Sequence, residues 1–447
     1  MSAPTRFPDR TDTALVRAEA EMLDPGAEAG ETRRVAGRVL GRRGHGKLVF
    51  LDLVDRSGQI QLLCSADRVG EVDVDLGDIV GAVGVPARTR RGEPSLVVEK
   101  LELLAKIARP LPDTFHGLVE AETRYRKRYL DLLVNEETRR DFITRARIVT
   151  AIRTYLDRHG FVEVETPILQ PRYGGALAEP FVTHSNELDA DLYLRIADEL
   201  YLKRLIVGGL EKVYEIGKDF RNESISYKHQ PEFTMLEWYE AYADYEDTMD
   251  RIEELVAFVA REAIGTTEVT FRGQTVDLRP PWRRVQLTEA LEAEGVWTRD
   301  PDELRARLDG RNVDTTRDET WAQLVDHALS HLVEPKLSEP TILYDYPVEL
   351  SPLARRKESA EGIVERFEYF VCGMELGNAY SELNDPEEQA ARFAELGGED
   401  PDYVEALSYG MPPTGGLGLG IDRLTMVLTG RETIRDVILF PALRPQD

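Results

Sequence analysis

At 447 residues the chain is long enough for two or three domains, and a composition 42% hydrophobic and 31% charged excludes disorder over most of it. No apolar run reaches the length of a membrane span, and residues 1–30 lack the basic start and apolar core of a secretory leader, so a cytoplasmic, non-membrane protein is expected. The net charge of −26 argues against nucleic acid as a partner of the whole chain, but residues 31–112 carry 14 Lys+Arg against 11 Asp+Glu, which keeps a polyanion-binding role open for that stretch alone.

In chain order, residues 1–30 read as an acidic, poorly structured tail with one short helix around 13–23. Residues 31–112 hold five short runs of alternating apolar and polar residues separated by turn-rich loops, the pattern of a small closed β-barrel such as an OB-fold. On its exposed face Phe50 could stack a base, and Arg43, Gln61 and Glu93 could read base edges; Phe50 reads equally as barrel core. Cys64, in this barrel, and Cys372 each sit in an apolar run and read as buried thiols rather than a disulfide or metal pair. The run Arg109-Pro110-Leu111-Pro112-Asp113 marks a boundary, and residues 113–134 read as a linker.

The second domain is expected over residues 135–447. It starts with a helix in which Phe142, Ala146, Val149, Ile152 and Leu156 recur at helical spacing before Gly160. Further on, Gly174-Gly175 opens a loop, and a helix beginning near Asp198-Glu199 carries Lys203 and Arg204. A hairpin is expected from two strand-like runs, around 213–216 and 232–239, joined by a polar loop that contains Arg221, Glu223 and His229. Period-2 alternation puts Phe233, Met235, Glu237 and Tyr239 on one face of its second strand. A ring, a carboxylate and a phenol on one surface, with an arginine at the loop's start, suit a ligand with a flat ring, phosphates and a cationic end. The same residues also read as a solvated hairpin face over an ordinary core.

Residues 264–340 read as a helical insertion of undisclosed role. Glu368 and Glu375 are seven apart with a turn between them, and can either hold Mg²⁺ against phosphates or be satisfied by arginine. Asn378, Tyr380 and Glu382 share a face of the strand after that turn. The run Gly415-Gly416-Leu417-Gly418-Leu419-Gly420-Ile421-Asp422-Arg423 allows close backbone approach to a ligand and sets Arg423 at a helix start, but fits neither a P-loop nor a dinucleotide fingerprint.

With these residues assembled, the chain resembles the class II aminoacyl-tRNA synthetases. Residues 160–167 with their preceding helix, the stretch from Phe220-Arg221-Asn222-Glu223 to Tyr239, and Gly418-Leu419-Gly420-Ile421-Asp422-Arg423 look like motifs 1, 2 and 3 of that family. The leading barrel resembles the subgroup for aspartate, asparagine and lysine. Gly174-Gly175-Ala176, the run from Arg195 to Arg204, Ser381-Glu382-Leu383-Asn384-Asp385 and the ending Thr433-Ile434-Arg435-Asp436-Val437 are similar to the lysyl-tRNA synthetases.

The resemblance implies an α+β chain, with a five-stranded OB-fold barrel ahead of a catalytic domain built on an antiparallel sheet flanked by helices, and a homodimer formed through motif 1. It implies ATP-dependent activation of L-lysine to lysyl-adenylate and transfer to the 3′ end of tRNA(Lys), with AMP and pyrophosphate released. ATP would be held by Arg221, Glu223, His229, Phe233, Glu368 and Arg423, with Arg221 and Arg423 acting in catalysis and Glu368 and Glu375 binding Mg²⁺. Lysine would be enclosed by Gly175, Glu199, Glu237, Tyr239, Asn378, Tyr380 and Glu382, and the anticodon read by Arg43, Phe50, Gln61 and Glu93. The absence of Lys and Arg from residues 378–382 favours lysine over aspartate.

Asp198 departs from the family's usual proline, Glu179 from a common arginine and Gln230 from asparagine, and Pro94 stands where leucine is expected. Two other readings remain: a paralogue that passes lysine to a protein or small molecule, and a degenerate synthetase that only binds or regulates tRNA.

Overall fold

The computed structural model describes residues 4–44, 47–112, 118–176, 178–316, 318, 320–395 and 400–446. The chain folds as two compact units, Met1–Arg124 with Tyr129–Asn135, and Tyr125–Arg128 with Glu136–Asp447. The expected boundary run ends at Asp113, which lies outside the described residues. The expected linker is in part scaffold of the second unit, where buried Arg128 donates to the carbonyls of Leu439 and Arg435.

The first unit is a closed barrel of β1 (Arg33–Arg43), β2 (Leu48–Val54), β3 (Gln59–Ser65), β4 (Ile79–Arg88) and β5 (Pro94–Ala105), in the order β1-β2-β3-β5-β4. Alternation decides what fills it: Val49, Leu51, Leu53, Ile60, Leu62 and Cys64 point inward and are buried. Of the expected tail, the short helix around 13–23 is present, and the poor structure is corrected. Helix α1 (Thr13–Glu21) packs on the barrel, and Val16 belongs to its core. The neighbouring Asp12 makes no side-chain cap; Asp55, at the β2–β3 turn, accepts from the Thr13 N–H at 3.0 Å and its hydroxyl at 2.7 Å. This satisfies orphan donors of the helix start from a distant part of the chain.

The second unit is built on an eight-stranded sheet. Its strands are β6 (Val162–Glu163), β7 (Lys212–Phe220), β8 (Glu232–Ala241), β9 (Arg283–Gln286), β10 (Thr341–Pro347), β11 (Ile363–Val371), β12 (Met374–Ser381) and β13 (Thr414–Gly420). Their order is β9-β10-β11-β12-β13-β8-β7-β6, antiparallel in the middle with a parallel strand at each edge. The expected helical insertion is therefore only partly helical: it contributes β9 to the sheet and contains a hairpin of Glu268–Phe271 with Gln274–Asp277.

Helices α2 (Glu136–Arg158), α4 (Tyr245–Ile264) and α5 (Ile421–Thr429) supply the main core together with one face of the sheet, which includes Leu236, Trp238, Tyr369 and Leu419. In α2 the inward residues are Ile148, Ile152, Tyr155 and Leu156, whereas Ala146 is exposed, so the expected face is correct only toward its C-terminal end. Helix α4 starts on an Asp244/Asp247 capping box and stops at Gly265 in the left-handed region. On the opposite face of the sheet sits α3 (Glu199–Val207), packed through Leu200, Leu202 and Ile206 against Val213 and Tyr239. Both cysteines are buried and free, as expected.

Candidate active site

The expected hairpin is β7–β8, in register from Lys212↔Glu240 to Phe220↔Glu232. Its neighbour on the other side is the glycine-rich strand β13, which pairs in turn with β12. Two cross-strand rows result. Glu237, Gly418, Asn378 and Glu368 lie side by side on β8, β13, β12 and β11, and Tyr239, Gly416, Tyr380 and Arg366 form the next row. Glycines in the central strand leave a trough between the flanking side chains. A Cβ at Gly416 would collide with Oε1 of Glu382 and press on the Tyr239 ring.

That trough is the floor of a cavity of about 510 Å³, whose lining includes Gly175, Glu199, Arg221, Glu237, Tyr239, Asn378, Tyr380 and Glu382. Gly175 enters with φ +86°, and a Cβ there would crowd Ala197 and Glu199. The other expected ATP residues, Glu223, His229, Phe233, Glu368 and Arg423, are not part of this lining. The guanidinium of Arg221 stacks 5.2 Å from the Phe233 ring centroid. Arg423, in the first turn of α5, bonds Glu375 at 2.8 Å and reaches Nε2 of His229 at 3.2 Å. Desolvation and Arg423 push His229 down to about 4; since its ring is exposed, the facing guanidinium is the weightier cause, and His229 is neutral at pH 7. Glu223 is exposed in the loop.

Glu368 and Glu375 stand on adjacent strands, each with an arginine: Arg366 on Glu368 at 2.7 Å and Arg423 on Glu375 at 2.8 Å. Burial raises Glu368 to about 7, against the pull of Arg366 and with the push of Glu375. Both open readings of this pair are thus compatible with the geometry. Two hard oxygen ligands fit Mg²⁺, which takes one or two carboxylates and completes its shell with phosphate and water.

The deep end of the cavity holds what the sequence reading missed. Lys203, fully buried on α3, is ion-paired with both Glu199 and Glu382, and its ammonium lies 5.8 and 5.5 Å from the ring centroids of Tyr239 and Tyr380. Tyr380 donates to Glu199 at 2.8 Å and Tyr239 to Glu237 at 2.8 Å. Although burial works against its charge, Glu199 and Glu382 hold Lys203 above its ordinary pKa. The Glu199–Lys203 spacing of four was the visible signal for half of this clamp.

Beneath Glu237, Arg195 bonds Glu215 at 2.6 Å and lies 3.0 Å from Asp219. Of the departures, Gln230 anchors the loop, its Oε1 accepting from the Ala442 N–H at 2.9 Å, while Glu179 is exposed and Pro94 opens β5. Asp198 is buried. In the barrel, Arg43 pairs with Phe50 and Asp52 with Gln61 across strands, so all four share the outer face; the partly exposed Phe50 is outside the core. Gln61 accepts from Ser95 at 3.1 Å, and Glu93 is exposed.

An antiparallel sheet carrying a polar trough, an arginine at the hairpin loop and another at a helix start is the architecture of a class II synthetase core. Residues 120–444 match the family described as tRNA synthetases class II (D, K and N), and residues 34–104 match the OB-fold nucleic acid binding domain. The chain belongs to this synthetase family. It is 52% identical to the lysine–tRNA ligase of Moorella thermoacetica, over 97% of this chain and 92% of that protein. It is 51% identical to the lysine–tRNA ligase of Roseiflexus castenholzii, over 94% and 91%, and 47% identical to that of Dehalococcoides mccartyi, over 99% and 93%.

Proposed function

We propose that this chain is a lysine–tRNA ligase, activating L-lysine with ATP to lysyl-adenylate and transferring the lysyl group to tRNA(Lys). The observation that carries this reading is the set of buried carboxylates, Glu199, Glu237 and Glu382, that lines one cavity with the rings of Tyr239 and Tyr380; Lys203 pairs with Glu199 and Glu382, and Glu237 has no ion pair among the described residues. A buried cation must be paired, and among the cavity's wall residues carboxylates outnumber the guanidinium groups of Arg221 and Arg366. Gly175 and Glu199 would take the α-ammonium; Glu382, Tyr239, Glu237, Asn378 and Tyr380 would enclose the side chain.

In the first step a lysine carboxylate oxygen attacks the α-phosphorus in line, the bond to the β-phosphate breaks, and pyrophosphate leaves. In the second the 3′-terminal ribose hydroxyl attacks the acyl carbon and AMP leaves. Neither step needs a protein nucleophile; both need positioning and charge neutralisation. Arg221 would neutralise the α-phosphate, Phe233 and Glu223 would hold adenine, and His229 and Arg423 would face the distal phosphates. Mg²⁺ bound at Glu368 and Glu375 would supply neutralisation of the phosphate oxygens.

Arg221→Ala should lower kcat for lysine-dependent ATP–pyrophosphate exchange about a hundredfold, the cost of losing one preorganised donor to developing charge. An unchanged kcat would remove Arg221 from the chemistry.

On the barrel, Phe50 would stack an anticodon base beside Arg43, Gln61 and Glu93. Phe50→Ala should weaken tRNA(Lys) binding by about 1–3 kcal/mol, measured by filter binding at fixed salt, while tRNA-independent pyrophosphate exchange continues. We further place the protein in the cytoplasm as a homodimer; exposed Ile143 on α2 and Val162, Ile168 and Leu169 just beyond it offer an apolar surface for the second copy. No helix among the described residues is long and apolar enough to cross a membrane. The deciding experiment is pyrophosphate exchange across the amino acids followed by charging of total tRNA. Lysine-dependent exchange without charging would instead favour an acceptor other than tRNA.

A further inference from the structure

Asp198, the residue just before α3, is 1% exposed, and neither of its carboxylate oxygens has a hydrogen-bond partner. Its carboxylate lies with those of Asp219 on β7 and Glu237 on β8 in a group whose nearest oxygens are all within 4.8 Å of one another. The three are not equally served. Asp219 has the Arg195 guanidinium at 3.0 Å, with Glu215 on that guanidinium's other side, and Glu237 accepts from the Tyr239 hydroxyl at 2.8 Å. Asp198 has no donor and, among the described residues, no ion pair; Arg195, bonded to Glu215 and set on Asp219, acts on it only at longer range. Glu237 faces the cavity and Asp198 lies behind it.

An unpaired buried carboxylate is too costly to persist as such, and two carboxylates in contact resolve the conflict by holding one proton jointly. A metal ion is the other remedy for three clustered carboxylates, but here it would be set against the Arg195 guanidinium. The charges around the pair leave the conflict standing: Lys203 on α3 is taken by Glu199 and by Glu382 from beyond β12, Tyr380 is committed to Glu199, Arg195 acts on Asp198 but is spent on Glu215 and Asp219, and Arg221 just after β7 acts on Asp219.

We propose that Asp198 and Glu237 share a single proton in the free protein, that the ammonium of bound lysine expels it to solvent, and that Asp198 is thereby a positioning residue setting the lower pH limit of lysine binding. This rests on the lysine-activating reading of the cavity. Lysine binding and proton loss then become linked, so affinity rises with pH until the pair has lost its proton and is flat above that point. Burial, with Glu199 and Asp219, raises Glu237 to about 8, and burial, with Glu237 and Asp219, raises Asp198 well above its ordinary value, so the pair keeps a proton through neutral pH. The side-chain ammonium of lysine stays charged through that range, and His229, held near 4, contributes no step.

The test is calorimetric titration of the full chain with L-lysine, without nucleotide, from pH 6 to 8.5 in buffers of different ionisation heat. The expected result is release of close to one proton per lysine at pH 7 and a dissociation constant that falls up to tenfold per pH unit before levelling off. In Asp198→Asn the plateau should begin at least one pH unit lower, and proton release at pH 7 should largely vanish. Wild-type lysine binding without proton release, or an Asp198→Asn profile that overlays the wild type, would overturn the proposal while leaving lysine activation intact. So would tight Mn²⁺ binding without nucleotide that Asp198→Asn abolishes, since the cluster would then be a metal site. Absence of lysine binding at every pH would instead remove the functional reading itself.

Discussion

Replacing Glu382 by glutamine should raise the KM for lysine in pyrophosphate exchange by about a hundredfold to several thousandfold, the 3–5 kcal/mol expected when one partner of a buried charge pair is removed. The size follows from how the deep end of the cavity is wired. Glu382 is 1% exposed and its Oε1 lies against Gly416 of β13, where a Cβ would collide with it, so water cannot substitute for it. It also shares Lys203 with Glu199. The amide would remove one carboxylate from the substrate's side chain and leave Lys203 to draw on Glu199 alone, so the acceptor proposed for the α-ammonium is weakened as well. The KM for ATP should change little, because Arg221, Phe233 and Arg423 lie at the other end of the hairpin. Glutamine keeps the shape of the side chain, so a loss confined to lysine can be separated from a folding defect. An unchanged lysine KM would show that the ammonium is read elsewhere.

The parts of this site that lie along single strands were legible in the sequence. Period-2 alternation put Glu237 and Tyr239 on one face of β8 and Asn378, Tyr380 and Glu382 together after the Cys372-Gly373 turn, and the structure lines one cavity with all five. What alternation could not supply was which strands are neighbours. The pairing of β13 between β8 and β12 is what brings Glu237 beside Asn378, and it joins segments more than 170 residues apart. The partners missed were those delivered from a third direction. Lys203 comes from α3, Asp198, singled out in the sequence only as a departure, from the residue before it, and Arg195 from the residue after Ala190–Leu194. Their meaning depends on packing, although the four-residue spacing of Glu199 and Lys203 was open to view. In the tail the helix around 13–23 was legible and is α1, but its anchorage was not, because the group that accepts from its first residue is Asp55, 42 residues away from Thr13. In the insertion, β9 is a four-residue edge strand whose partner β10 follows only after three helices, so no local pattern announces it.

Lys203→Met should destabilise the second unit by about 3–5 kcal/mol at pH 8, and most of that deficit should disappear near pH 4. The methionine fills nearly the same volume and can pack against the Tyr239 and Tyr380 rings, so a cavity does not explain the loss. The cause is charge: Glu199 and Glu382 are 4% and 1% exposed, and without the ammonium they would be two buried anions facing one another. Burial, joined by Glu199, already holds Glu382 well above its ordinary pKa against the pull of Lys203, and removing the ammonium would push it higher still. In the variant both carboxyls would have folded pKa values above their unfolded values near 4.3. A group raised in this way contributes fully below its unfolded pKa and loses that contribution as pH climbs toward the folded value. The stability gap between variant and wild type should therefore open as pH rises from about 4 and widen toward pH 8. Thermal unfolding of the two proteins side by side at pH 4, 6 and 8 measures the gap directly. A gap of the same size at all three pH values would mean that Lys203 stabilises the fold by packing alone, and that the carboxylates of the deep pocket do not depend on it to stay charged.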